Sequence, residues 1–79
     1  MDSMLELITA ELRAFLEQKG RPVPALTADT RFLDGELVFD SLDLAVLLLA
    51  LEEKTGKDPF REGFRTFTTV GELAGLYSA

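Results

Sequence analysis

The chain has 79 residues, which is room for one domain spanning positions 1–79, and it contains no cysteine and no histidine. Disulfides, the usual zinc, haem and iron–sulfur ligation, and Ser–His–Asp or Cys–His catalysis are therefore excluded. The 14 Asp and Glu against 8 Lys and Arg leave a formal net charge of −6, which repels nucleic-acid phosphates and anionic membranes and attracts basic patches on partner proteins.

The first predicted helix runs from about Met4 to Lys19. Ser3 and Glu6 have the S-x-x-E spacing of a capping box. Met4, Ile8, Leu12, Phe15 and Leu16 recur at three- and four-residue intervals and so share one face. Gly20 then suits a left-handed position just past the last turn.

Residues 21–40 read as one long connection, opened by Pro22 and Pro24, which cannot propagate a helix. Loops of this length are uncommon in small domains and are often functional. Val23, Leu26, Phe32, Leu33, Leu37 and Phe39 give it apolar anchors, so it should pack onto the helices, with a short turn expected around Thr30 to Leu33.

A second helix is predicted from Ser41 to about Thr55, capped by Asp40 or Ser41 at its start and by Gly56 at its end. Pro59 leaves room for a short third helix over about 60–64. The last helix follows Thr68 or Thr69, with Thr69 and Glu72 as a second capping box and Val70, Leu73, Ala74 and Tyr77 as its apolar stripe. No alternating run long enough for a strand competes. The expected fold is an all-α four-helix bundle with a long first loop and a short third helix.

The second helix carries more apolar surface than one core can take. At 100° per residue, Leu44, Leu47, Leu48 and Leu51 share one side, and Leu42, Ala45, Val46 and Leu49 share nearly the opposite side. Either the long loop folds over the second stripe, or the stripe is exposed and docks partners. In the second case Asp40, Asp43, Glu52 and Glu53 frame it, and an apolar centre with a charged rim is the usual anatomy of a transient interface.

A serine hydroxyl without a base is a poor nucleophile, so Ser41 is not expected to be catalytic. It is either an ordinary helix-capping serine or the substrate of another enzyme, and a helix N-terminus suits a phosphate on its oxygen. The segment Phe39-Asp40-Ser41-Leu42-Asp43-Leu44, the later Ala50-Leu51-Glu52-Glu53 and the segment Phe67-Thr68-Thr69-Val70 resemble the motifs of acyl carrier and peptidyl carrier proteins. The resemblance covers essentially the whole chain.

The resemblance implies 4′-phosphopantetheine, taken from coenzyme A, joined covalently to Ser41. It implies recognition of Asp40, Leu42, Asp43, Ala45, Val46 and Leu49 by carrier-processing enzymes. The partners it implies are a phosphopantetheinyl transferase, an adenylating or acyltransferase loading enzyme and a downstream thioester-using enzyme. Val38, where the family often has Gly, and Val46, where fatty-acid carriers often have an acid, point to a specialised polyketide or non-ribosomal-peptide-type pathway. The competing readings are a housekeeping fatty-acid-synthesis carrier and an unmodified helical module that binds one protein through the second helix. No enzymatic activity, metal, nucleic acid or membrane partner is expected, and a cytoplasmic monomer is. The longest apolar run, Leu44 to Leu51, is eight residues, against roughly 20 for a membrane span.

Overall fold

A computed structural model describes residues 3–33, 35, 37–61, 63 and 66–78. Three helices occur among them: α1 (Ser3–Gln18), α2 (Ser41–Thr55) and α3 (Val70–Ser78). Helix α1 packs against both α2 and α3.

The four-residue spacing predicted for α1 is what the core uses. Ile8, Leu12 and Leu16 are fully buried, and Met4 and Phe15 pack at their edge. The helix already includes Ser3, so the predicted Ser3–Glu6 box does not cap it, and the residues before Ser3 lie outside the described residues. At the other end Gly20 takes φ 69°. Its N–H donates to Glu17 O at 3.0 Å and that of Arg21 to Leu16 O at 2.9 Å, a Schellman closure that reverses the chain.

The described residues of the connection over 21–40 form no helix, and the connection lies partly inside the molecule. Phe32, Leu37 and Phe39 are buried. Phe39 meets Phe15 edge-on with ring centroids 5.6 Å apart, and Phe32 meets Phe67 in the same way at 5.7 Å; such edge-to-face pairs add to the stability their burial supplies. The expected turn sits earlier than Thr30–Leu33, where Thr30 N–H donates to Thr27 O at 3.1 Å.

Arg31 instead pairs with Thr69 in an isolated antiparallel bridge. The physical reason is the start of α3, whose first N–H groups lack partners within their own helix. The loop supplies them: Val70 N–H donates to Thr30 O at 2.9 Å and Gly71 N–H to Ala28 O at 2.8 Å.

Helix α2 buries Leu47 and Leu51 and half-buries Leu44 and Leu48. Gly56 ends it at φ 69°. The expected third helix over 60–64 is not confirmed among the described residues. Arg61 N–H donates to Asp58 O at 3.2 Å and Gly63 N–H to Phe60 O at 3.1 Å, which makes two successive turns, while Glu62 and Phe64 lie outside the described residues. Gly63 sits at φ 148°, a backbone that no α-helix contains. The described residues thus hold three helices where four were expected.

Helix α3 buries the whole predicted stripe: Val70, Leu73, Ala74 and Tyr77. Its predicted cap also forms, since Glu72 N–H donates to Thr69 Oγ1 at 3.2 Å and Glu72 Oε1 accepts the Thr69 N–H at 3.0 Å.

Candidate functional site

The start of α2 is built by two acids that cap each other. Asp40 is the N-cap, in extended backbone. Its Oδ1 accepts the Asp43 N–H at 2.9 Å, and Asp43 Oδ2 accepts the Asp40 N–H at 3.0 Å. This is the capping-box exchange with aspartate in both roles. Arg21, from the turn after α1, donates through Nη1 to Asp43 Oδ2 at 2.8 Å and to Val38 O at 3.2 Å. The backbone N–H of Asp40, and after it the guanidinium of Arg21, hold the Asp43 carboxyl below its usual range despite partial loss of hydration.

Ser41 is therefore not the cap. It is the first residue of α2, exposed, and among the described residues its hydroxyl has no hydrogen-bond partner. The exchange satisfies the N–H groups of Asp40 and Asp43 and, among the described residues, leaves those of Ser41 and Leu42 without a partner. Two free N–H groups at the positive end of a helix, beside a free hydroxyl, suit an anion esterified there.

The second apolar stripe of α2 is open. Leu42 is 73% exposed, Leu49 62% and Val46 46%, and Ala45 is exposed with them. The long loop sends its aromatic rings to the core instead of across this face. Asp40, Glu52 and Glu53 stand exposed at its ends. Asp43 departs from the expected frame, because its carboxylate is committed to Asp40 and Arg21. Phe15 and Gln18 of α1, and Lys19 just after it, extend the stripe into a shallow cleft with Leu42, Asp43 and Val46.

Arg21 was not singled out by the sequence. It stands 22 positions from Asp43, and no local pattern links them. Among the described residues no cluster of carboxylates has the arrangement of a metal site, and no helix is long and apolar enough to cross a membrane.

Residues 7–77 match the family model described as a phosphopantetheine attachment site. The chain is also similar to MacpD, an acyl carrier protein from Pseudomonas fluorescens involved in mupirocin biosynthesis, whose solution structure is known. The two are 36% identical and superpose with a TM-score of 0.85, over 99% of this chain and 70% of that one. No curated protein sequence matches the chain. By the extent of the family match and by this likeness in sequence and fold, the chain belongs to the carrier-protein family that bears covalently attached 4′-phosphopantetheine.

Proposed function

We propose that the chain, as one carrier domain over 1–79, holds an acyl or aminoacyl group on phosphopantetheine joined to Ser41, and presents it to partner enzymes of a specialised biosynthetic pathway. The domain itself is a non-catalytic carrier. One observation carries the choice of Ser41: its hydroxyl is exposed and unbonded at the first position of α2 while Asp40 does the capping. The residues fit the group, since the hydroxyl is reachable and the Ser41 and Leu42 N–H groups are available to its phosphate.

In the modification, the Ser41 oxygen forms a new bond to the phosphorus of coenzyme A that bears the pantetheine, and the pyrophosphate bond breaks. Adenosine 3′,5′-bisphosphate leaves, and the hydroxyl proton passes to a base of the transferase, because this chain has no histidine to take it. When bound, the group supplies a thiol that holds the cargo as a thioester. The chain's own contribution is a rigid mount and a tether, which raises the effective concentration of cargo at each partner.

A carrier of this kind interacts with a phosphopantetheinyl transferase and acyl-handling enzymes. The exposed Leu42, Ala45, Val46 and Leu49 are the surface proposed for them, with Asp40 steering basic partners and Asp43 acting chiefly through the shape of the helix start. An adenylating or acyltransferase enzyme loads the arm, and a downstream enzyme uses the thioester. A polyketide-type pathway is favoured by the likeness to the mupirocin carrier and by the apolar Val46 in the docking stripe. The turns over Asp58–Gly63 are read as the reduced counterpart of the third helix of the four-helix carrier fold, and the working state as a cytoplasmic monomer.

The test is incubation with coenzyme A and a promiscuous phosphopantetheinyl transferase, followed by intact-mass measurement. One added phosphopantetheine, absent in Ser41→Ala, is expected. No addition with several transferases would overturn the reading and leave α2 as an unmodified protein-binding helix. Efficient turnover by fatty-acid-synthesis enzymes would defeat the specialised pathway alone.

A further inference from the structure

A groove of about 290 Å³ lies beside the start of α2, lined by Arg31, Phe32, Leu33, Leu44, Phe67 and Thr68. Leu44 is three residues beyond Ser41, so it lies on the same side of the helix, one turn along. The groove therefore opens next to the hydroxyl that takes the arm. Phe32 and Phe67, packed edge to face, are part of its wall, and Leu33 stands 53% exposed at it.

Among the described residues, the only charged one lining this groove is Arg31. Its backbone is fixed: the pair Arg31–Thr69 is flanked by Phe32 N–H to Thr68 O at 3.1 Å and Val70 N–H to Thr30 O at 2.9 Å. Gly35 folds so close that a Cβ there would lie 3.3 Å from Arg31 Cβ. The guanidinium itself is uncommitted, with no ion pair or hydrogen bond to any of the described residues, whereas Arg21 on the other side of the helix start is tied to Asp43.

We propose that Arg31 is a specificity-determining residue that holds the free carboxylate of a dicarboxylic half-thioester cargo, whose carbon chain lies along Leu33, Leu44 and Phe67. This rests on the reading of Ser41 as the attachment point. The charge balance supports it. The chain's net charge is −6 and Asp40 is exposed beside Ser41, so an anionic cargo is repelled from the surface around its tether. An arginine unpaired among the described residues, at a groove walled partly by Phe32, Leu33, Leu44 and Phe67, offsets that repulsion, and its planar fork matches a carboxylate in two parallel hydrogen bonds. A neutral acyl group gains only the apolar wall. The tether makes even a weak contact populated, because the cargo never leaves the neighbourhood.

The test loads Ser41 directly from succinyl-coenzyme A and, separately, from butyryl-coenzyme A with a promiscuous transferase, and compares amide and Arg Nε chemical shifts with those of the unloaded arm. Succinyl cargo should shift Leu33, Leu44, Thr68 and the Arg31 Nε–H and slow thioester hydrolysis severalfold relative to butyryl. Arg31→Gln should abolish both effects, and Arg31→Lys should restore part of them. Equal shifts with the two cargoes, or succinyl shifts that persist in Arg31→Gln, would overturn the proposal. A chain that accepts no arm defeats the reading of Ser41 alone. In that event free S-succinylpantetheine, compared with S-butyrylpantetheine at millimolar concentration, decides the groove by the same shifts.

Discussion

Arg21 and Asp43 meet at 2.8 Å through the same carboxylate oxygen that accepts the Asp40 N–H. The start of α2 is thus held from three sides: by its own cap, by the preceding loop through Val38 O, and by the turn that ends α1. Because two aspartates and an arginine do this work, the serine between them is left free.

The cap can be separated from the chemistry. Asp40→Ala removes the acceptor of the Asp43 N–H and should cost about 1 kcal/mol, which lowers Tm by roughly 4–8 °C in a domain of this size. Asp40→Ser should recover most of that loss, since a hydroxyl caps nearly as well. Arg21→Gln should slow phosphopantetheine transfer with a smaller fall in Tm. Calorimetry and transfer rates taken well below Tm check both; an Asp40→Ala protein as stable as wild type would refute the role given to the cap.

Neighbouring leucines of α2 should respond in opposite ways. Leu47 is buried and Leu49 is 62% exposed. Leu47→Ala leaves a hole among α1 and α2 residues and should cost about 2–5 kcal/mol. Leu49→Ser and Leu42→Ser should change stability by no more than about 0.5 kcal/mol, while loading and transfer by partner enzymes drop by about tenfold, as for an apolar anchor lost from an interface. Unchanged transfer in the Leu42→Ser, Leu49→Ser double variant would remove this face from the partner surface.

Much of this was legible in the sequence because it rests on local rules. The stripes of α1 and α3, the glycines after α1 and α2, and the Thr69–Glu72 cap each depend on residues at most four apart, and all are found where their spacing put them. The two-sided character of α2 was legible too, although the sequence left open whether the loop covered its outer stripe. That choice is made by Phe32 and Phe39, which reach the core through ring contacts with Phe67 and Phe15. The Arg21–Asp43 pair and the Arg31–Thr69 bridge join distant positions, and no periodicity reports them. The third helix is not confirmed among the described residues: Pro59 permits a helix start, but Gly63 takes a φ of 148° that no α-helix contains, and Glu62 and Phe64 lie outside those residues.

The two glycines of α3 differ in what surrounds them. A Cβ on Gly71 would sit 2.9 Å from Ala28 O and 3.0 Å from Ala28 Cβ, where the loop caps the helix. Gly71→Ala should therefore cost about 1–3 kcal/mol and raise hydrogen exchange at Val70 and Phe32, whose N–H groups form the bridge. Gly75 has nothing within 4 Å of its Cβ position, and Gly75→Ala should stabilise by about 0.4–1 kcal/mol. Chemical denaturation of the two variants checks the contrast; equal effects would mean that the loop does not press on Gly71.

Stability should fall at both ends of the pH scale, for separate reasons. The Asp43 carboxyl is held below its ordinary 3.8, chiefly by the Asp40 N–H. The Glu72 carboxyl is held below its ordinary 4.5 by the N–H groups of Thr68 and Thr69. An unfolded chain then binds protons at a higher pH than the folded one, so the stabilisation is complete above those ordinary values and disappears as pH falls through the lowered ones. The Tyr77 hydroxyl is pushed above its ordinary 10.0 first by loss of hydration and then by Asp58 and Glu52. Its contribution is complete below 10.0 and is lost as pH rises through the raised value. Melting curves should therefore show a shallower acid decline in Asp43→Asn with Glu72→Gln, and a shallower alkaline decline in Tyr77→Phe. Variants that track the wild-type curve at both ends would place the titrating groups elsewhere in the chain.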